Sequence, residues 1–128
     1  MKGLIIDEPW IQLILKGHKT WEMRKTACHH RGPIALIRKG SGQVVGTAEI
    51  VDSLPSIEDV NEYAKAESQH RIPPGRQPEA FRDGWRTPWV LRNVKLLSQP
   101  IAYKHPTGAV IWVNLEDDVK KAIALQGS

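Results

Sequence analysis

Cysteine is almost missing: the 128-residue chain holds one, Cys28. A single thiol excludes an internal disulfide and a multi-cysteine zinc site. Long apolar runs are missing too. No stretch approaches the roughly 18 apolar residues of a membrane span. The opening Met1-Lys2-Gly3-Leu4-Ile5-Ile6-Asp7 is too short an apolar run for a secretory signal. The expected compartment is the cytoplasm, with no membrane partner. No repeat, low-complexity tract or linker divides the chain, so one domain over 1–128 is expected. Hydrophobic residues at 41% and charged residues at 25% are globular values and argue against disorder.

Acid is scarce where base is abundant. Between Lys16 and Lys39 the chain carries Lys16, Lys19, Arg24, Lys25, Arg31, Arg38 and Lys39, opposed by Glu22 alone. His18, His29 and His30 lie in the same stretch. Residues 52–67 hold Asp52, Glu58, Asp59, Glu62 and Glu67 against Lys65. The net charge of +4 is modest, but its gathering in one early region is what an anion-binding surface requires.

Periodicity and turn residues outline the elements. A short buried strand is expected at 3–6. A helix follows at 9–16, with Pro9 in its first turn and Gly17 as its stop. Residues 20–24 read as extended, with Thr20, Glu22 and Arg24 on one face and Trp21 and Met23 on the other. A polar loop at 25–32 leads to strands at 33–38 and 43–51, with Gly46 at a bend or bulge. Ser56 is the expected cap of an acidic helix reaching about 68. Prolines make 71–78 irregular, and one helical turn is expected at 79–83. Strands at 89–97 and 109–115 precede a C-terminal helix at 116–126. Trp10, Trp21 and Trp112 fall within apolar periodicity and are expected in the core. Trp85 and Trp89 flank Arg86-Thr87-Pro88, and for these the choice is between core burial and stacking on a base. These elements make an α+β chain: a small, mostly antiparallel sheet closed into a barrel and flanked by two or three helices.

Gly17-His-Lys-Thr-Trp-Glu-Met-Arg24 carries the pattern Gly-x-Lys-x-x-Glu-x-Arg through Gly17, Lys19, Glu22 and Arg24. It follows a helix opening with Pro9-Trp10. Arg31-Gly32 leads into Ile34-Ala-Leu-Ile, then come Val45-Gly-Thr-Ala-Glu-Ile-Val-Asp52, Trp89-Val-Leu-Arg-Asn93 and Ala109-Val-Ile-Trp112. Together these resemble the ASCH domain (activating signal cointegrator homology) over about 3–115. The resemblance implies a PUA-like β-barrel and recognition of RNA or a modified nucleotide. It also carries an alternative, because ribonuclease activity and hydrolysis of N4-acetylcytidine are attributed to the family.

The motif's chemistry suits that ligand class. Lys19 is a compact cation for a phosphate or an oxyanion. Arg24 is a planar fork that takes a phosphate through two bonds. Glu22 can orient either cation or accept from an exocyclic amine. Lys19 and Glu22 would point to opposite faces of a strand, so they meet only if Lys19 lies in the turn before it. A plain Glu22–Arg24 ion pair is the structural alternative. Lys25, His29, His30, Arg31 and, from the turn before the last strand, His105 complete the expected ligand-binding set. Arg71, Arg76, Arg82 and Arg86 read either as a pocket rim or as a solvated face. No metal site is expected, since adjacent His29 and His30 rarely face one ion, and no cofactor motif is present.

For catalysis the residues are Lys19 and Glu22, with Thr20 and Glu67 as weaker candidates. Hydrolytic relatives are understood to carry a threonine nucleophile three positions after the lysine, where this chain has Glu22. The leading expectation is therefore a binding module for RNA or a nucleotide. A hydrolase on the same ligand class, and then a protein-interaction domain, are the alternatives.

Overall fold

The computed structural model describes residues 1–126. Six strands form one sheet: β1 (Lys2–Ile6), β2 (Trp21–Arg24), β3 (Gly32–Arg38), β4 (Gln43–Ser53), β5 (Thr87–Ala102) and β6 (Trp112–Asn114). Their order is β2-β5-β4-β3-β1-β6. Only β1 and β3 run parallel; the other neighbours are antiparallel. The α+β, mostly antiparallel PUA-like expectation is met, with the sheet curled into a half-barrel whose edges are β2 and β6.

Alternation explains how the sheet is buried. In β1, Leu4 and Ile6 face one core with Ile34, Leu36 and Ile50, while Ile5 faces another with Ala35, Ile37 and Val44. Side chains of period two thus supply both faces, and a helix must cover each. Helix α1 (Trp10–Leu15) covers the first through Ile11 and Ile14. Helix α5 (Asp117–Gln126) covers the second through Val119 and Ile123.

Residues 54–86 build a third layer against β2. They hold α2 (Val60–Lys65), α3 (Glu67–His70) and α4 (Gln77–Arg82), with a 3-10 turn at Pro74–Arg76. The expected helix at 56–68 is therefore two, and five helices replace the expected two or three. Its cap is Asp59 rather than Ser56: the Asp59 carboxylate accepts from the Asn61 and Glu62 amides. Ser56 is drawn away because Leu54 and Ile57 donate to the carbonyls of Pro88 and Arg86, holding 54–57 extended beside the start of β5. Tyr63, Ile72 and Met23 form the buried centre of this layer.

Two strands differ in length from expectation. β5 extends to Ala102 because 101–102 pair with Val44 and Gln43. β6 is short because Ala109 donates to Pro106 within a turn containing Gly108, at φ +82°. Trp10, Trp21 and Trp112 pack against the core clusters as expected, but their burial is unequal. Trp89 is buried, whereas Trp10, Trp21 and Trp112 are only partly so. The reason is positional: Trp10 and Trp112 stand where the sheet layers open onto a cavity.

Candidate functional site

The geometry starts at the end of α1. Gly17 has φ +79°, a conformation glycine adopts without penalty. The amides of His18 and Lys19 both donate to the Leu13 carbonyl. This reversal leaves Lys19 in the turn before β2. Lys19 and Glu22 consequently face the same space, and the condition for their meeting is fulfilled. Within β2, Glu22 pairs with Trp89 and Arg24 with Thr87, so Glu22 and Arg24 share a face while Trp21 and Met23 pack into the third layer.

Lys19 is 1% exposed and Glu22 5%. The Arg24 guanidinium donates to Glu22 Oε2 from Nε at 3.2 Å and from Nη2 at 2.9 Å, and Nη2 also donates to the Ile5 carbonyl at 2.8 Å. Lys19 Nζ donates to the His70 carbonyl at 2.5 Å. It lies 3.8 Å from Glu22 Oε1, beyond hydrogen-bond length, so this oxygen stays open to a ligand donor. Burial pulls the Lys19 amine down to about 8; the Glu22 carboxylate opposes the fall and the Arg24 cation adds to it.

Residues 67–72 prepare the lysine's seat. His70 is fully buried, its Nδ1 accepts from the Ile72 amide at 2.9 Å, and its Nε2 donates to the Tyr63 carbonyl at 2.7 Å. Burial lowers its proton affinity, the Tyr63 carbonyl opposes that fall, and the Ile72 amide donating to Nδ1 requires the neutral ring. The carbonyls ending α3 would otherwise lack partners; the Thr20 amide takes that of Gln69 and Lys19 that of His70.

The cluster lies at the base of a cavity of about 870 Å³. Its walls are aromatic. Trp89 and Trp112 stack at 5.8 Å and 13°, the Lys19 ammonium stands 5.0 Å from the Trp10 ring, and Arg24 stands 5.5 Å from that of Trp89. Lys19, Glu22, Arg24, Lys25, His29 and His30 all line this space. Trp10, Trp85 and Arg76 line it as well; of the four arginines read as a pocket rim or a solvated face, Arg76 is in the lining and Arg71, Arg82 and Arg86 are not.

Other candidates lie elsewhere. Arg31 donates to the carbonyls of Cys28 and His30 and pairs with Asp52 at 3.9 Å, outside the cavity lining. His105 lies in a second depression of about 470 Å³, where it contacts Tyr103 and the Ala109 carbonyl. Thr20 is exposed and outside the lining. Glu67 accepts from Gln77 Nε2 at 3.2 Å and does not reach the cavity. The basic stretch is also less positive than its sequence, because Glu8 pairs with Arg38 and Asp7 with Lys39. Among the described residues, no group of three or more His, Cys, Asp or Glu could hold a metal ion, and no helix is long and apolar enough to cross a membrane.

The ASCH domain family model matches residues 4–106, from β1 through the motif to the end of β5. The chain belongs to the ASCH domain family. Solved ASCH structures have the same fold. The crystal structure of ASCH from Zymomonas mobilis superposes with a TM-score of 0.71 at 15% identity, covering 97% of this chain and 93% of that one. A tyrosine-to-phenylalanine variant of that protein gives 0.69 at 15% identity, covering 97% and 96%. A serine-to-alanine variant gives 0.69 at 15%, covering 97% and 94%. No curated protein matches this ASCH chain in sequence.

Proposed function

We propose that this ASCH domain binds RNA, or a nucleotide-like piece of it, in the cavity above Lys19, Glu22 and Arg24. The observation that carries the reading is the cluster itself: buried Lys19 and Glu22 with partly buried Arg24, under a wall of tryptophan faces. Lys19 and Arg24 suit a phosphate. The open oxygen of Glu22 suits an exocyclic amine. Indole faces suit a base of any sequence. Lys25, His29 and His30 at the lining add donors for the backbone of the ligand. In this reading Arg31 and His105, outside the cavity lining, contact the ligand only where a longer strand extends past it. The cytoplasm is the compartment in which such a ligand is met.

The test is titration of labelled single-stranded RNA at several salt concentrations. Affinity is expected to fall steeply as salt rises, since phosphate contacts release counterions. No detectable binding at low salt would sink the reading.

A second reading is hydrolysis of the same ligand class. Its support is the Lys19 amine, lowered to about 8 and 3.8 Å from a carboxylate, a pairing suited to proton transfer near neutral pH. Thr20 is exposed and outside the cavity lining, so this reading rests on Lys19 and Glu22. Incubation with RNA and with N4-acetylcytidine tests it, and turnover that survives Lys19→Ala would count against this site.

A further inference from the structure

We infer that Trp85 is the platform on which the base of a bound nucleotide stacks, and that Lys25 covers this platform until a phosphate draws it away. The inference rests on the nucleotide reading above and adds to it a residue that decides where the base sits. Trp85 lines the cavity yet remains 37% exposed. A large indole left open to water at a concave wall marks a surface awaiting a partner. The ring is not on a loose tether. The Trp85 amide donates to the Ala80 carbonyl at 3.0 Å, and its own carbonyl accepts from the Tyr63 hydroxyl at 2.7 Å. Tyr63 is buried and its carbonyl receives His70 Nε2. The same buried pair therefore fixes both the backbone of Trp85 and the carbonyl that seats Lys19. A platform held this way loses little freedom when a base lands on it.

What occupies the ring is displaceable. Lys25 Nζ stands 4.8 Å from the Trp85 centroid, and Lys25 is itself exposed. An exposed cation–π contact is weaker than base–aromatic stacking. A phosphate entering the cavity gives the ammonium a stronger partner and leaves the indole face to the base. The other cavity tryptophans are engaged differently. Trp89 is buried between Arg24 and Trp112 and donates from Nε1 to the Thr26 carbonyl. Trp10 carries both Lys19 and Arg76. Trp112 carries the exposed Lys2 at 5.4 Å, but it is only partly exposed and stacks on Trp89. Trp85 is thus the exposed tryptophan of the cavity, and its covering cation is exposed as well and outside the buried cluster.

The experiment titrates a fluorescein-labelled short single-stranded RNA with the wild-type chain, Trp85→Ala, Trp85→Leu, Trp85→Phe and Lys25→Met. Trp85→Leu keeps apolar bulk without a π face, so it serves if the alanine variant folds poorly. Both Trp85→Ala and Trp85→Leu are expected to weaken binding roughly tenfold, and Trp85→Phe to recover much of the loss. Lys25→Met is expected to lower the slope of log affinity against log salt by about one. Wild-type binding that Trp85→Leu leaves unchanged overturns the platform while the nucleotide reading stands. An unchanged salt slope in Lys25→Met overturns the exchange. No binding by the wild-type chain overturns the nucleotide reading, and the platform with it.

Discussion

Lys19 and His70 are joined across 51 residues of sequence: the lysine ammonium donates to the histidine carbonyl at 2.5 Å inside the protein. The bond ties the motif turn before β2 to the end of α3. It also keeps a long, otherwise mobile side chain aimed at the base of the cavity. Stability and ligand affinity therefore draw on the same few groups, so mutation and pH act on both.

Glu22→Gln is expected to destabilise the fold by about 3 kcal/mol, because it leaves buried Lys19 and partly buried Arg24 without their counter-charge. Urea midpoints measure this. A loss below about 1 kcal/mol would place the cluster among exposed ion pairs, whose removal costs little.

Lys19 is expected to titrate with a midpoint of about 8, read from its 13Cε resonance. In the unfolded chain its value returns to 10.5. Between those two values the unfolded state holds more protons than the folded state, so Lys19 makes stability rise with pH across that window. Below it, both states carry the charge and the full cost of burying it. The rise is expected to vanish in Lys19→Met, and a rise that persists in that variant assigns it to other groups.

His70 works in the opposite half of the pH scale. Burial lowers its proton affinity from the ordinary value of 6.5, against the pull of the Tyr63 carbonyl, and the Ile72 amide donating to Nδ1 requires the neutral ring. The unfolded chain takes up the proton first as pH falls, so the stability His70 supplies is complete above pH 6.5 and lost on acidification. His70→Ala is expected to cost about 3 kcal/mol by stranding two buried backbone groups and leaving a void. It should weaken RNA binding as well, since Lys19 loses a fixed seat. Thermal melts across pH 5–7 and the salt-dependent titration check both.

Gly46→Ala is expected to destabilise by about 2 kcal/mol through overpacking, with no direct effect on the cavity. A methyl group there would stand 2.7 Å from the Lys95 carbonyl oxygen and 2.6 Å from Leu15 Cδ2. The leucine can turn aside, but the β5 backbone cannot. A variant as stable as wild type would show that the β4–β5 irregularity at this point yields easily.

Much of the fold was legible because it is written in short-range chemistry. The alternation of Gly3–Ile6 and 33–38, the Gly17 stop and the acids opening α5 all describe local backbone preferences. Segment 54–86 was less legible. Ser56 and Asp59 are both good caps, and the choice fell to Asp59 because β5 holds residues 54–57 extended. The tryptophans were legible in part: periodicity reports which face a side chain takes, so it put Trp10 and Trp112 against the core, but not that the same face also meets a cavity. The candidate site divided along the same line. Lys19, Glu22 and Arg24 sit together because four to six residues of turn and strand bring them together. Arg31, His105, Thr20 and Glu67 needed long-range placement, and the structure sets them outside the cavity.

By itself, then, the sequence determined that Glu22 and Arg24 share a strand face after Gly17, since side chains alternate with period two, and that Lys19 joins them only from a turn before that strand. Only the tertiary structure decided that this grouping would be buried, that His70 would offer its carbonyl, and that Trp85 would stand open beside Lys25. Those facts depend on contacts between segments far apart in the chain, and burial is what turns an ordinary lysine and carboxylate into a lowered amine beside an acceptor.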